Sequence, residues 1–376
     1  MNPRFLYTSI LLILLFSNNQ LFPQDSNIIT EKYGGMKDDE AYFIEKCEDN
    51  GFIIIGNTKS FGNIRKLYIL RLDDFLDTLW TKTIGFDTDY YGSYCVRQTI
   101  NNEFLLIGNN SIINLDSLGN INWETKHKFY GSFIQKIGLN YFVILGMVYN
   151  VENGNDISLL KTDTKGIGIW YKTYKIDSFE KAKCVLRTRD NGFIINGNLK
   201  KGIFLMKLDS LGNQCWVKKY TEDESFFVYS MCQVTDDGIF ICGYSSIDPY
   251  QQTACIMKTD VGGNVMWKKY YYREASTSAT YCQALNNNSV LVTGYAFDKN
   301  SDYDSYIKVF NESGEEIFSK YIDDNYFTIS ESSIFYNSMF CILTGYQKDP
   351  QNKFRKDYDV FVNKIELKDL PDYPSH

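Results

Sequence analysis

The sequence predicts an all-β protein, a seven-bladed β-propeller that is closed by an N-terminal strand completing the last blade. Three observations lead to this prediction. A motif recurs along nearly the whole chain, the spacing inside the motif is constant, and the two ends of the chain complement each other. Together they indicate units of ~45–50 residues with four short strands each, which is the size of a propeller blade.

The composition suits a large β-protein. The chain has 376 residues, of which 44% are hydrophobic and 16% aromatic, with 29 Tyr and 26 Phe. Aromatic residues are enriched in strands because they pack well on a pleated surface. The net charge of −7 and the even spread of basic residues argue against a nucleic-acid partner, whose phosphates would need a basic surface.

A glycine that closes a strongly apolar run marks each repeat. The clearest copy is Phe193-Ile-Ile-Asn-Gly197, which follows an Asp-Asn-Gly turn. The seven glycines are Gly56, Gly108, Gly146, Gly197, Gly243, Gly294 and Gly345. Their separations are 52, 38, 51, 46, 51 and 51 residues, so one period runs through the chain and the second repeat is short.

A turn followed by an aromatic residue is the second recurring element. The pairs are Asp73/Trp80, Asp116/Trp123, Asp163/Trp170, Asp209/Trp216, Asp260/Trp267 and Asn311/Phe318. All five Trp of the chain occur here. In an Asp-x-x-Gly turn the Asp can hydrogen-bond its own backbone, and the Gly accepts positive φ. The Trp opens the fourth strand, and we expect its ring to be largely buried between blades.

The two ends of the chain predict ring closure. The last repeat, residues 326–367, has three strands and no fourth. The N-terminus has a single strand, Ile29-Thr-Glu-Lys-Tyr33, that matches Trp216-Val-Lys-Lys-Tyr220 position for position. We therefore predict that residues 28–34 complete the seventh blade, which removes the exposed edges of an open stack. An open β-solenoid is the alternative, and it would need no complementary ends.

The first residues predict export. Arg4 precedes an apolar run from Phe5 to Phe16, and polar residues follow. The run is shorter than the ~20 residues that span a bilayer and fits a signal peptide. We predict a signal peptide over residues 1–24 and a single propeller domain over 25–376. The mature chain would then be periplasmic, cell-surface or extracellular, with no stable membrane insertion. An uncleaved membrane anchor is the alternative.

The cysteines are predicted to be small buried apolar residues. First strands carry Cys47, Cys95, Cys184, Cys232 and Cys282, and later strands carry Cys242, Cys255 and Cys341. A metal or redox cluster is the alternative, but it would need Cys-x-x-Cys pairs that the sequence lacks.

The segments Gly51-Phe-Ile-Ile-Ile-Gly56 and Leu208-Asp-Ser-Leu-Gly212, with Trp216 after the second, carry a resemblance. They are similar to the repeats of secreted bacterial propeller-repeat proteins, and the likeness covers residues 28–367. This resemblance implies a propeller fold and an exported location. Two enzyme families are more distantly similar. Quinoprotein repeats have one residue more between Asp and Trp, and sialidase Asp-boxes have one residue fewer between Asp and Gly.

The sequence assigns no catalytic, cofactor-binding or metal-binding residue, and no cofactor. The two His, His127 and His376, are too few for a His-dependent triad or a His-rich metal site. The Asp residues of the Asp-x-x-Gly turns are better explained as turn formers. The segment Asp298 to Asp304 resembles the start of a calcium loop, but Tyr303 and Val309 stand where such a loop needs Gly and Glu. Calcium there stays an open alternative.

The longest loops are predicted to carry the binding site. Blades five, six and seven have the longest connections between the second and third strands, and ring closure would place them side by side. The polar residues predicted for this rim are Asp248, Tyr250, Asp298, Asp302, Asp304, Asp349 and Lys353.

Two function classes follow from these observations. We favour a non-catalytic binding or scaffold propeller, acting as a monomer, for a protein, peptide or glycan partner. A polysaccharide-acting propeller hydrolase or lyase is the alternative. Arg, Glu, Asp and Tyr side chains converging in a central depression would favour the enzyme, and a flat face would favour the binding module. The run Tyr270-Tyr-Tyr272 could stack on sugars, although packing between blades is the preferred explanation.

Overall fold

The repeats form seven four-stranded antiparallel sheets arranged as a β-propeller. The computed structural model describes residues 28–85, 95–108, 110–150, 154–177, 180–222, 225–248, 251–271, 276–285, 288–297, 303–322, 327–348 and 357–367. Every regular element in these ranges is a strand. No helix of the described chain is long and apolar enough to cross a membrane.

Blades one to six each consist of four consecutive strands. Blade one contains β2 (Asp39–Lys46), β3 (Phe52–Thr58), β4 (Lys66–Leu72) and β5 (Thr78–Ile84), and blade two contains β6 (Val96–Gln98), β7 (Phe104–Gly108), β8 (Ser111–Leu115) and β9 (Ile121–Lys126). Blade three contains β10 (Tyr130–Ile137), β11 (Tyr141–Asn150), β12 (Gly154–Asp163) and β13 (Gly168–Tyr174), and blade four contains β14 (Glu180–Arg187), β15 (Phe193–Leu199), β16 (Ile203–Leu208) and β17 (Gln214–Tyr220). Blade five contains β18 (Phe226–Gln233), β19 (Ile239–Asp248), β20 (Gln251–Thr259) and β21 (Val265–Tyr271), and blade six contains β22 (Thr277–Ala284), β23 (Val290–Phe297), β24 (Tyr303–Phe310) and β25 (Glu316–Ile322).

Blade seven joins the two ends of the chain. It contains β26 (Phe327–Tyr336), β27 (Phe340–Lys348) and β28 (Asp359–Glu366), and its fourth strand is β1 (Ile28–Tyr33). β1 runs antiparallel to β28, with Ile28 opposite Ile365 and Tyr33 opposite Val360. The predicted closure is confirmed. The ring leaves no open end, so the solenoid alternative is wrong.

The second and third strands of each blade hold the core. All seven residues of β3 are buried, and so are all seven of β15. Neighbouring sheets cover both faces of these strands, which explains why they are continuously apolar. The outermost fourth strands alternate instead, as β5 does, because one of their faces meets water.

The Asp-x-x-Gly turns form as predicted. The Oδ1 atom of Asp209 accepts hydrogen bonds from the N–H groups of Leu211 and Asn213 at 2.9 and 2.7 Å, and Gly212 has φ 76°. The same two carboxylate bonds occur at the turns that begin with Asp73, Asp116 and Asp163, and the second of them occurs at Asp260. These carboxylates are therefore turn formers.

The fourth strands of blades one to five, and of blade seven, contact the turn of the next blade. The Trp216 ring covers Gly263 so closely that a Cβ on this glycine would lie 2.7 Å from the ring. The Tyr220 hydroxyl donates to the Gly263 carbonyl at 2.6 Å. Tyr33 makes the equivalent bond at the closure, to the Leu76 carbonyl at 2.5 Å. Blade seven thus contacts blade one through the same kind of Tyr hydroxyl–carbonyl bond that joins blade four to blade five.

The prediction that the Trp rings are largely buried needs a correction. All five are only partly buried, and the Nε1 atoms of Trp80 and Trp267 donate to backbone carbonyls of the next blade at 2.9 and 3.0 Å. They lie on the outermost strands, where the neighbouring turn covers part of each ring and leaves another part to solvent.

Two faces of the ring are distinguished below. The first face carries the turns between strands one and two and the Asp-x-x-Gly turns. The second face carries the connections between strands two and three, and those that lead from one blade to the next. Each innermost strand therefore begins at the second face.

Candidate functional site: the central cavity

The predicted rim of blades five to seven is not assembled by the described residues. In blade five the expected loop is mostly strand, since β19 continues to Asp248 and β20 begins at Gln251. Asp304 is buried within β24 instead of lying on a rim, so its assignment was wrong. The other predicted rim residues, Tyr250, Asp298, Asp302, Asp349 and Lys353, lie outside the described residues, as does most of the calcium-like segment.

A β-bulge on the innermost strand recurs in six blades. At each bulge the register with strand two skips one residue: Tyr42, Ser132, Lys183, Tyr229, Thr280 and Glu331. A bulge re-aims a side chain and is common beside functional sites. We call these six residues the bulge ring.

The bulge ring lines a central cavity. The cavity has a volume of about 590 Å³, and all six bulge residues contribute to its wall. Arg97, Phe133, Cys184, Tyr281 and Gln283 are among the other lining residues. The wall therefore combines hydroxyl groups, aromatic rings and charges.

Lys183 and Glu331 carry opposite charges in the bulge ring. No ion pair within 4.0 Å joins either of them to a residue in the described part of the chain. The Lys183 ammonium lies 5.3 Å from the centre of the Tyr229 ring. Burial raises the pKa of Glu331 to about 7, with Lys183 opposing this shift and Glu40 adding to it. Burial also lowers the pKa of Lys183, and the adjacent charge of Lys181 lowers it further.

Tyrosines surround Glu331. Burial raises the pKa of Tyr229, Tyr295 and Tyr346, and the charge of Glu331 contributes to each shift. The Tyr346 ring lies 6.3 Å from the Tyr42 ring, so the aromatic surface continues into blade one. The carboxyl group thus sits among phenol groups and is partly shielded from water, which disfavours its charged form.

Arg97 holds neighbouring blades together. It forms an ion pair with Glu45 at 2.6 Å and donates from Nε to the Ile134 carbonyl at 2.9 Å. Its guanidinium also lies over the rings of Phe43 and Phe133, at 4.6 and 5.2 Å. These contacts tie blades one, two and three together, so the charge of Arg97 is already compensated.

Glu40 is the second carboxylate near the bulge ring, and its surroundings are unlike those of Glu331. It accepts hydrogen bonds from the Tyr42 hydroxyl and, at 3.0 Å, from Asn57, and Arg65 lies 3.6 Å away. Donors and a positive charge therefore hold Glu40, whereas Glu331 has neither within bonding distance among the described residues.

The cysteines behave as predicted. Eight of the nine are buried and Cys215 is exposed. Cys232, Cys242 and Cys282 share one apolar cluster between blades five and six. No group of three potential metal ligands occurs among the described residues.

One residue of the blade-five tyrosine run, Tyr271, packs between blades as preferred. The Tyr271 hydroxyl donates to the Gly314 carbonyl at 2.5 Å, and its ring lies 4.6 Å from the Phe310 ring. Tyr270 is exposed, and Tyr272 is outside the described residues. Of the two histidines, His127 packs against Phe129 at 5.3 Å and burial lowers its pKa, while His376 is not described.

The bulge ring was missed in the sequence, although a signal for it exists. Every bulge residue stands 14 positions before the repeat glycine, as Lys183 does before Gly197 and Glu331 before Gly345. In blade two this position is Tyr94, which lies outside the described residues. The residue type at this position changes from blade to blade, so the shared position becomes visible only when the repeats are aligned on the glycine.

Seven four-stranded sheets around a central cavity place the chain in the class of seven-bladed β-propellers. No protein-family profile and no curated protein matches it. Several solved propeller structures are similar to it. BBS1N in complex with ARL6DN has a TM-score of 0.59 at 10% identity and covers 91% of this chain and 97% of its own. The Dos1 propeller scores 0.54 at 10% identity, covering 87% and 78%. The Neurospora crassa Pan2 WD40 domain scores 0.52 at 14% identity, covering 87% and 90%. At such identities the likeness establishes the fold alone.

Proposed function

We propose that this chain is a non-catalytic binding propeller that takes a polypeptide partner on its second face, over the central cavity. The observation that carries the proposal is the pair of charged groups, Lys183 and Glu331, in the wall of a tyrosine-lined cavity. Taking a charge out of water is costly unless a partner compensates it. Arg97 and Glu40 have such partners within the protein, so the two uncompensated groups mark the place where a ligand completes the site.

The wall suits a polypeptide. Tyrosines offer apolar contact area and a hydroxyl at a low cost in conformational entropy, which explains their enrichment at interfaces. Tyr42, Tyr229 and Tyr281 supply such rings, while Ser132 and Thr280 supply small hydroxyls. The fold supports a protein partner as well, since the similar BBS1N propeller was solved in complex with ARL6DN.

A polysaccharide hydrolase or lyase is the second candidate. It is favoured by the unlike surroundings of Glu40 and Glu331, because two carboxyl groups in different environments are typical of acid–base pairs. Charged groups and Tyr do converge at the centre of the ring. However, Glu331 is the one acidic residue among those that line the cavity, and glycoside hydrolysis needs two carboxyl groups flanking the bond. We therefore rank the binding function first.

One double variant tests the proposed site. Lys183→Ala with Glu331→Ala should abolish capture of partners by the purified chain on peptide and protein arrays. The matched control is Lys219→Ala with Asp177→Ala, which removes an exposed Lys–Asp pair between blade four and the connection that precedes it, and should leave capture unchanged. Equal capture by both double variants would place the binding surface elsewhere on the ring.

An activity assay separates the two candidates. We expect no release of reducing or unsaturated sugar ends from a polysaccharide panel. Release that is lost in Glu331→Gln would instead establish the enzyme.

We further propose that the chain acts after export, as a monomer. The apolar run from Phe5 to Phe16 supports this proposal. Sequencing the N-terminus of the mature chain from fractionated cells should show cleavage near residue 24, and light scattering should give the mass of one chain. An intact N-terminus in the membrane fraction would favour the anchor alternative.

A further inference from the structure

We propose that the central cavity binds a short peptide with free ends, holding its ammonium group at Glu331 and its carboxylate at Lys183. The inference rests on the proposed function, because it assigns a ligand class to the same site.

The placement of the two charges supports a ligand with two charged ends. Lys183 lies on blade four and Glu331 on blade seven, three blades further along a ring of seven. Both occupy the same bulge position, 14 residues before the repeat glycine, so they stand at the same depth on nearly opposite sides of the axis. Each charge influences the pKa of the other, yet they form no ion pair. A ligand that carries opposite charges at its two ends would bridge this gap.

The other charged residues of the cavity wall leave Lys183 on a positive side and Glu331 on a negative side. Four charged residues line the cavity: Arg97, Lys181, Lys183 and Glu331. Arg97 is compensated by Glu45, and Lys181 lies beside Lys183, where it strengthens the positive pole. Blade four is therefore the positive side of the cavity and blade seven the negative side.

The size and chemistry of the cavity favour a peptide over a single amino acid. About 590 Å³ falls in the range of sites for small organic ligands. In an amino acid the ammonium and carboxylate groups are bonded to the same carbon, whereas each added residue of an extended chain moves them apart by about 3.3–3.6 Å more. The hydroxyls of Tyr229 and Tyr281 can donate to peptide carbonyls or accept from peptide N–H groups, whereas the Thr280 hydroxyl donates to the Ser330 carbonyl and is left as an acceptor.

The test is a calorimetric length and capping series on the full mature chain. The ligands are alanine, di-, tri- and tetra-alanine, and the N-acetylated and C-amidated forms of the best binder. We expect the dipeptide or tripeptide to bind best and each cap to weaken binding at least tenfold. Tightest binding of free alanine would overturn the assignment of a peptide ligand. Caps that leave the affinity unchanged would overturn the assignment of the two charged ends to Glu331 and Lys183.

Two single variants assign each pole. In Glu331→Gln the N-acetyl cap should lose its effect while the amide cap keeps it, and in Lys183→Gln the reverse should hold. A merely structural role for either residue would weaken all ligands alike and would contradict the proposal. Thermal melting of both variants verifies that the ring still folds.

The pH dependence gives an independent readout. Glu331 is faced by Lys183 from β14, Glu40 from β2, Tyr229 from β18, Tyr295 from β23 and Tyr346 from β27. Because its carboxyl must be ionised to hold an ammonium group, peptide affinity should fall several-fold between pH 7.5 and pH 5.5, and this fall should vanish in Glu331→Gln. An unchanged pH profile in that variant would contradict the role of Glu331.

The outcome also separates this inference from the proposed function. If no free peptide of two to four residues binds at millimolar concentration, the inference is wrong. A protein partner that still depends on Lys183 and Glu331 would in that case leave the proposed function standing.

Discussion

The two faces of the ring differ in whether their charged side chains have an ion-pair partner. On the first face of blades one, four and five, the cation near the end of strand three is buried and paired with an Asp of the turn between strands one and two. Lys207 contacts Asp190 at 2.8 Å, and Lys258 contacts Asp236 at 2.6 Å. In the cavity, toward the second face, Lys183 and Glu331 have no such partner among the described residues.

The difference shows how one repeat serves two purposes. The first-face contacts join strand three to the turn between strands one and two of the same blade, so they are repeated as a structural device. Arg71 illustrates it, since its guanidinium donates to the Phe52 and Leu72 carbonyls and pairs with Asp49 at 2.5 Å. The bulge ring varies its residue from blade to blade, as a surface adapted to a single ligand would.

Removing the closing strand should have the largest effect. Deleting residues 25–35 exposes the edge of β28 and removes the Tyr33 clamp on blade one. We expect a loss of about 5 kcal/mol or more, enough to abolish a native state of ordinary stability. Thermal melting and light scattering should show unfolding or aggregation, while removal of residues 1–24 alone should leave the melt unchanged. An unaltered melt of the 25–35 deletion would contradict closure by β1.

Removing a Trp ring that packs on the turn of the next blade should have the second-largest effect on stability. Trp216→Ala leaves the turn at Gly263 uncovered and should cost about 2–4 kcal/mol, less than a fully buried Trp because the ring is partly exposed. Trp170→Ala and Trp267→Ala should behave alike. Denaturant unfolding measures the loss, and a change below 1 kcal/mol would show that the rings contribute little to stability.

Breaking a first-face pair should cost somewhat less. Lys258 is fully buried between Asp236 and Glu312, so Lys258→Ala leaves two carboxylates without their cation. We expect a loss of about 2–3 kcal/mol, because those carboxylates keep contact with water. Lys219→Ala, which breaks an exposed pair with Asp177, should cost less than about 0.5 kcal/mol. Equal losses in the two variants would remove the distinction between buried and exposed pairs.

The smallest effect should be a gain of stability at the cavity. In the folded chain the pKa of Glu331 is raised from 4.5 to about 7, so folding favours its protonated form. Its stabilising contribution is complete below pH 4.5 and is lost as the pH rises through about 7. Glu331→Gln should therefore raise stability at pH 8 by about 1–2 kcal/mol and change little at pH 4. A variant that is less stable at pH 8 would show that the carboxylate is compensated.

Local patterns carried most of the fold prediction. Asp-x-x-Gly turns depend on hydrogen bonds within five residues, and an apolar run ending in Gly marks a strand covered on both faces. These features recur at one period, so the number of blades and the orphan strand that closes the ring could be inferred without knowing any contact. The Trp positions were placed correctly, but their partial burial was not, because it depends on how far the next blade reaches over them.

The sequence by itself determined the seven blades, their turns and the closure, since each follows from residues close together in the chain. Only the tertiary structure decided the site. Lys183 and Glu331 are 148 positions apart, and the bulges that place them in one ring are properties of strand register. Whether a charge is paired or left alone depends on what the neighbouring blades bring within a few ångströms. That information arises when distant strands pack around a common axis, and no local pattern of residues contains it.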